Sequence, residues 1–474
     1  MMIFFRYIIF CFLIIVTTLG VSSQSDLFAG PGDTSTFSEL DQLLAETFRI
    51  DIKEITVTFD YFPDNDYAEG KASIIFHMRE GQGTPLIHFD PALSYDSILE
   101  IKLNGEPLNF YDPSDVQVIE FERSTQKAIE FQRTLLKGFE HTLEMTYRLF
   151  LPQEYPRFST AVHDLQGRGN EERFPTLNSP EELCRHVLDF HVHSQKPYIF
   201  LGSGLVEKID SYSTQHWQLD TEQEVASYTV MFVLVPEEDF DYEERLINGI
   251  AVRIAAMKNR ASIEEAFSQL EDWLPELEAN LGPFPMSRGL SVFLTSIYGG
   301  MEYYGATISS LEALKHEVFH MYFGCSTVAK TYRDTWMDEA INEWYEHSVS
   351  PDFYSIPTNY LSNWVGGRSP ISVGFDSRAY DEGSRIMQAV AERLGSRQEM
   401  IRFLSYLYLN HSFDPFTTFD LLDYLKNYSG IDMKNEFINW LYSGSSDYLH
   451  CADFYQKSLN KLDLKTLDRR EKKD

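Results

Sequence analysis

Apolar residues alternate with polar ones along much of the first half of the chain. Ile55, Val57 and Phe59 are separated by Thr56 and Thr58; Ala72, Ile74 and Phe76 repeat the pattern, and so do Leu143, Met145, Tyr147 and Leu149. A period of two places every second side chain on one face, the mark of a half-buried strand. Asn104-Gly105 follows the apolar run Ile98 to Leu103 and predicts a hairpin turn. Strand patterns continue from His186 to Val192, His216 to Leu219 and Ala226 to Val235, so residues 51–237 read as a β-rich domain. Near Pro236-Glu237-Glu238 the period changes. Ser262 is placed to cap a helix whose buried face is Ile263, Ala266, Phe267, Leu270, Trp273 and Leu274, with Pro275 expected to end or kink it before Leu281. A strand over Gly289–Leu294 precedes further helical patterns. These are Leu311, Leu314, Val318, Phe319 and Tyr322; Trp336, Ala340, Ile341, Trp344 and Tyr345; Asp381 to Leu394; and residues 398–445, with Thr417 or Thr418 as an N-cap. The expectation is an α+β chain: an all-β N-terminal domain, then a mainly helical domain over 238–450.

Both ends read differently. Met1 to Ser23 has one arginine (Arg6), an apolar run from Tyr7 to Val21 and small residues before Gln24, the pattern of a secretory signal; an uncleaved membrane anchor is the alternative. Residues 24–50 form a flexible exit with a short helix bearing Leu40, Leu43, Leu44 and Phe48, and 451–474 a polar tail. The expected location is therefore exported, periplasmic or secreted. A formal charge of -32 over 474 residues argues against nucleic acid or anionic lipid as a partner. Oligomeric state is not legible. With Cys11 removed alongside the signal, Cys184, Cys325 and Cys451 are too widely spaced for a disulfide framework or zinc knuckle, and Cys325 reads as packing.

The chemistry concentrates in Lys315-His316-Glu317-Val318-Phe319-His320. On a helix, His316 and His320 share a face and can offer two imidazoles to one ion, while Glu317 stands close enough to take a proton from water. A catalytic zinc centre needs a third protein ligand. Glu339, with eighteen residues between it and His320, lies on its own amphipathic helix and supplies one. Two turns on, Glu346 can accept a hydrogen bond from a zinc-binding histidine, with Glu343 as competitor. His347, His186, His191 and His193 have no metal spacing that involves this helix and read as structural or surface residues. Upstream, Gly299 and Gly300 permit a turn that brings backbone close to a ligand.

Several blocks together resemble the zinc aminopeptidases of the aminopeptidase N and leukotriene hydrolase type, in a short form lacking the large C-terminal helical domain. The spacing of His-Glu-x-x-His to Glu339 matches; so do Met321-Tyr322-Phe323-Gly324, Trp336-Met337-Asp338-Glu339, Gly299-Gly300-Met301-Glu302-Tyr303 and Tyr380-Asp381-Glu382-Gly383. Looser likenesses at Phe174-Pro175 and at Ala226-Ser227-Tyr228 extend the similarity over about residues 50 to 445. The resemblance implies a saddle-like β domain followed by a thermolysin-like catalytic domain that binds one Zn2+. It makes Tyr380 an oxyanion donor, and makes Gly299, Gly300, Met301 and Glu302 a substrate-binding segment in which Glu302 takes the free α-amine. Tyr303 stands where the family has Asn, and Glu382 where it has Lys. The activity implied is removal of N-terminal residues from peptides. A zinc endopeptidase, a glycyl-aminopeptidase-like enzyme and a non-catalytic peptide-binding protein are the alternatives.

Overall fold

Ile50–Phe62 is the central strand of the first sheet, and its side chains show why the sheet forms. Ile55, Val57, Phe59 and Tyr61 are buried while Thr56, Thr58 and Asp60 face outward. Ile52 is also buried, three positions from Ile55; a register shift between Ile52 and Glu54 absorbs the extra residue as a bulge, and so both isoleucines stay in the core. The computed structural model describes residues 49–79, 81–90, 97–120, 127–151, 158–160, 170–177, 182–209, 215–287, 289–296, 299–330, 334–347 and 378–442. The expected signal and polar tail lie outside these residues, as does the expected flexible exit with its short helix except for its last two positions, where Ile50 opens the first strand instead.

The sheet built on Ile50–Phe62 has nine strands among the described residues. Across it run Leu205–Ile209, Gln215–Asp220, Leu183–Val192, Ile50–Phe62, Tyr67–Met78, Glu140–Phe150, Ile98–Leu103 and Glu106–Leu108, with Val225–Ala226 beside Leu183. Ile50–Phe62 is parallel to Leu183–Val192 and antiparallel to Tyr67–Met78. The hairpin at Asn104-Gly105 forms as expected, both residues having positive φ. A three-stranded sheet of Phe158–Ser159, Phe232–Pro236 and Tyr198–Gly202 packs against the first through aromatic rings. Phe59 lies 5.3 Å from Phe158, 5.2 Å from Phe190 and 5.8 Å from Phe232 between ring centroids.

The second part of the chain begins with a five-stranded mixed sheet rather than with helices. Its order is Phe240–Ile247, Ile250–Met257, Leu290–Leu294, Ala306–Ser309, Gly300–Tyr303. Helices follow or interrupt it: α1 (Ile263–Leu281), α2 (Leu314–Phe319), α3 (Trp336–Glu346), α4 (Arg378–Leu394), α5 (Arg397–His411), α6 (Thr418–Ser429) and α7 (Lys434–Tyr442).

Four expectations need correction. "Mainly helical" understates the sheet, because Phe240–Ile247, buried only at its two ends, and Gly300–Tyr303, with one buried residue, show no alternating apolar face for periodicity to detect. Pro275 does not end α1; the buried stripe Phe267, Leu270, Leu274, Leu277 and Leu281 carries the helix through to Leu281. The strand expected from Ala226 to Val235 is broken by a turn of 3-10 helix at Ser227–Thr229. The metal helix is shorter than the apolar pattern suggests. It stops at Phe319, and Gly324, with φ +131°, turns the chain so that Cys325 N donates to His320 O at 2.9 Å. Thr417, rather than Thr418, caps α6, in a reciprocal arrangement with Asp420.

The β-rich part buries three histidines, His88, His141 and His186, and burial shifts the first and the last. His186 N donates to Thr221 Oγ1 at 3.0 Å, and its Nε2 lies 2.9 Å from Ser227 Oγ. Burial lowers the pKa of His88 to about 4 and that of His186 to about 3. The unfolded chain therefore binds the extra protons below pH 6.5, and stability falls as pH drops from there toward the lowered values. Between pH 7 and 5 each ring contributes a loss of about 2 kcal/mol, an upper figure from one and a half pKa units. Urea unfolding at the two pH values should show a drop that is smaller by about that amount in His186→Gln. An identical drop in wild type and variant would mean that His186 ionises normally in the folded chain.

Candidate active site

α2 carries His316, Glu317 and, at its C-cap, His320; α3 carries Glu339, Glu343 and Glu346; α4 carries Tyr380. α3 is amphipathic because Trp336, Met337, Ala340, Ile341, Trp344 and Tyr345 are buried, which fixes the helix's rotation and turns Glu339 toward α2. The close approach of α4 depends on Gly383: a Cβ there would stand 2.7 Å from Ala340 Cβ.

Three donor atoms meet between α2 and α3. His316 Nε2 is 3.1 Å from Glu339 Oε2, His320 Nε2 is 3.4 Å from the same oxygen, and the two Nε2 atoms are 3.3 Å apart. Ligand atoms about 2.0–2.1 Å from a tetrahedral ion lie roughly 3.3 Å from one another, so the spacing fits one Zn2+. The outer nitrogens are already engaged. His316 Nδ1 donates to Glu346 Oε2 at 3.2 Å, with Glu343 Oε1 farther away at 3.8 Å, and His320 Nδ1 donates to Phe323 O at 2.9 Å. In the neutral rings, both Nε2 lone pairs then point at the same place. His316, His320 and Glu339 can therefore hold one metal ion.

The electrostatics point the same way. Burial opposes charge on His316, but hydrogen bonds to Glu339 and Glu346 outweigh it and raise its pKa to about 10. Burial alone would raise Glu339; the charge of His320 and the bonds from both histidines instead bring it down to about 2. Burial, then repulsion from Glu302, pushes Glu317 up to about 8. Burial also raises Glu302 and, more strongly, Asp338. Carboxylates packed this closely retain their protons unless positive charge sits among them, and a dication at the three donors supplies it.

The remaining expected residues surround this point. Gly300–Tyr303 is the edge strand of the five-stranded sheet, and Glu302, Glu317 and His320 bring ligand atoms within 4.8 Å of one another. A Cβ at Gly300 would lie 2.5 Å from Glu317 Cγ, so glycine is required for the strand to pass this close. Gly299, with φ +107°, precedes the strand, and its carbonyl accepts from Ser310 N at 2.9 Å. Met301 is half-buried against the small apolar cluster behind the strand. Tyr380 donates its hydroxyl to Glu339 Oε1 at 2.8 Å and stacks on His316 at 5.9 Å. Cys325 is a buried free thiol. His186 is buried in the β sheet, and His347 Nδ1 lies 2.9 Å from Glu343 Oε2 at the end of α3.

Two contributors escaped the sequence reading. Asn342 Nδ2 donates to His316 O at 2.9 Å, and the Phe323 carbonyl orients His320. Asn342 was findable, because it is three residues after Glu339 and four before Glu346 on the same helical face. The carbonyl was not, since it depends on how the chain turns after α2.

No protein-family model matches the chain. Aminopeptidase M1-B of Oryza sativa subsp. japonica is 22% identical over 402 residues, covering 72% of this chain and 45% of that protein; the chain thus spans about half the length of this curated relative. The M1 zinc metallopeptidase of Deinococcus radiodurans has the same fold at a TM-score of 0.63 and 15% identity, covering 84% of this chain and 95% of the other. A mutant of that protein bound to Tyr-Ser-Ala substrate aligns at a TM-score of 0.64 and 15% identity, covering 83% and 94%. The fold is similar to that of the two-domain M1 zinc metallopeptidases.

Glu346 holds His316 by its outer nitrogen. Replacing it with Gln should weaken zinc binding about 10- to 100-fold in a competition titration against a chromogenic chelator. Glu343→Gln should change it less. Equal effects would place the orienting contact elsewhere.

Proposed function

We propose that this chain is a zinc-dependent metallopeptidase that releases N-terminal residues from peptides. The observation that carries the proposal is the convergence of His316, His320 and Glu339 donor atoms within 3.4 Å of one another, with Glu317 and Glu302 beside them. His316, His320 and Glu339 would hold the ion, which when bound polarises a carbonyl and acidifies a water at neutral pH. Glu317 takes the proton of the attacking water and delivers it to the departing amine. The Tyr380 hydroxyl, beside Glu339, donates to the oxygen that gains charge as the carbonyl becomes tetrahedral. Glu302, on the edge strand, pairs with the substrate's α-ammonium and fixes the scissile bond one residue from the N-terminus. The Gly299–Met301 backbone supports the peptide. Glu346, with Glu343 near it, orients His316.

The likeness to aminopeptidase M1-B and to the tripeptide-bound Deinococcus radiodurans protein supports a peptide as substrate. We extend the proposal to the domain limits given above, 51–237 and 238–450, and to export, which rests on the signal-like pattern of Met1–Ser23. Among the described residues no helix is long and apolar enough to cross a membrane.

Aminoacyl-coumarins and their N-blocked counterparts, with and without chelator, separate the possibilities. The expected result is chelator-sensitive cleavage of the free-amine substrates alone. Glu302→Ala should erase that preference, and equal rates on blocked and free substrates in the wild type would indicate an endopeptidase. Glu317→Gln should lower turnover about 1000-fold while zinc content stays near one per chain; retained turnover would remove Glu317 from the reaction. For Tyr380→Phe the expected loss is about 100-fold in kcat with zinc bound, and an unchanged kcat would leave Tyr380 as packing.

A further inference from the structure

The edge strand that carries Glu302 ends at a point held from outside its own sheet. Gly300–Tyr303 turns at Tyr304-Gly305 into Ala306–Ser309, and both backbone groups of Tyr304 bond to the β-rich part of the chain. Tyr304 N donates to Thr229 O at 2.8 Å, and its carbonyl accepts from Gly204 N at 3.3 Å. A Cβ at Gly204, whose φ is +66°, would stand 2.5 Å from Asp220 O, so glycine is required where this N–H is presented. Thr229 closes the turn of 3-10 helix, Ser227–Thr229, that breaks the strand pattern from Ala226 to Val235. A carbonyl inside a ladder is committed to the neighbouring strand; the turn leaves that of Thr229 to accept from Tyr304 N.

The turn is itself clamped. Asn170 Nδ2 donates to Val230 O at 2.9 Å and also to Ser227 O, so one amide closes both ends of the turn. Thr229 Oγ1 donates to Ala226 O at 2.8 Å. Ser203 Oγ accepts from Met231 N at 2.8 Å and donates to Thr229 O at 3.3 Å, beside the bond from Tyr304. Asn170, Ser203, Ser227 and Thr229 are all buried. A buried polar side chain costs free energy unless its hydrogen bonds are made, and an apolar residue fills the same volume without that cost. Asn170 Oδ1 has no partner among the described residues, so what this amide contributes is its N–H donors.

We propose that Asn170 is a positioning residue for the edge strand that holds the substrate's amine end. It acts through Ser227–Thr229: the amide fixes the turn, the turn fixes the Thr229 carbonyl, and that carbonyl fixes Tyr304, two residues after Glu302. The β-rich part thereby sets where Glu302 stands relative to α2. The proposal rests on the assignment of Glu302 to the α-ammonium made above. None of these bonds is made to α2, α3 or α4, so Asn170 governs the position of the substrate and not the affinity for zinc.

The test uses the full, zinc-loaded chain with Asn170→Ala and, as a milder change, Thr229→Val, which keeps the side chain's shape and removes its bond to Ala226. Leu177→Ala is the control, because it opens a cavity beside the same buried segment and removes no hydrogen bond of the turn. Hydrogen exchange read by mass spectrometry should show the peptide spanning Gly299–Gly305 exchanging about fivefold faster in Asn170→Ala and Thr229→Val, the effect of one net hydrogen bond on local opening. The peptide spanning His316–Phe323 should keep its wild-type rate. On free-amine aminoacyl-coumarins KM should rise by a similar factor with kcat and zinc content unchanged, the mark of lost ground-state binding. Leu177→Ala should lower the thermal midpoint yet leave KM and the exchange of the hairpin as in wild type. Wild-type exchange of the hairpin in both Asn170→Ala and Thr229→Val overturns the proposal, and so does an equal rise of KM in Leu177→Ala. A wild type that cleaves blocked and free substrates alike, or neither, refutes the peptidase reading instead, and the exchange rates then decide alone whether Asn170 holds the strand.

Discussion

Two imidazole nitrogens held 3.3 Å apart, with a carboxylate oxygen 3.1 and 3.4 Å from them, form the constraint on which the second half of this chain depends. Neutral rings whose outer N–H groups are committed to Glu346 and to the Phe323 carbonyl repel each other at that distance through their lone pairs. A positive charge between them removes the repulsion, whether it arrives as protons or as a dication. The packing that enforces this closeness is apolar. α3 buries Trp336, Ile341, Trp344 and Tyr345 on the side away from the donors, and Phe319 of α2 meets Tyr345 at 4.6 Å between ring centroids. The histidines approach because the helices behind them interlock.

That arrangement also explains the glycines. Gly300 admits the edge strand to within van der Waals contact of Glu317, Gly383 lets α4 lie on Ala340, and Gly324 turns the chain after His320 beside the imidazole it serves. Each marks a place where an element is pressed toward the donors, and a methyl group at any of the three would meet an atom of the site or its support at 3.0 Å or less. The cost of assembling Glu302, Glu317, Asp338 and Glu339 in one buried volume appears as raised pKa values on the first three, which a bound cation would lower.

Much of this was legible in the chain. The i, i+4 histidines and Glu339 could be joined before any coordinates because α2 and α3 each announce a buried stripe, and buried stripes of adjacent helices face each other. Alternation located Ile50–Phe62, Tyr67–Met78 and Glu140–Phe150 because each has one wet face. The five-stranded sheet was legible only in part: the apolar run Leu290–Leu294 predicts a strand, whereas Phe240–Ile247 buries only its two ends and Gly300–Tyr303 one residue, so neither shows an alternating face. The length of α2 was misread because Tyr322 and Phe323 stay buried after the helix ends. Glu346 over Glu343 as the partner of His316 could be ranked only by distance.

The most direct test of the central claim is a crystal structure of the purified protein with anomalous data collected on both sides of the zinc absorption edge. A single edge-dependent peak about 2.0–2.1 Å from His316 Nε2, His320 Nε2 and a Glu339 carboxylate oxygen is the predicted result. No such peak between α2 and α3 in zinc-soaked crystals, or Glu339 turned out of bonding range of the ion, would contradict it.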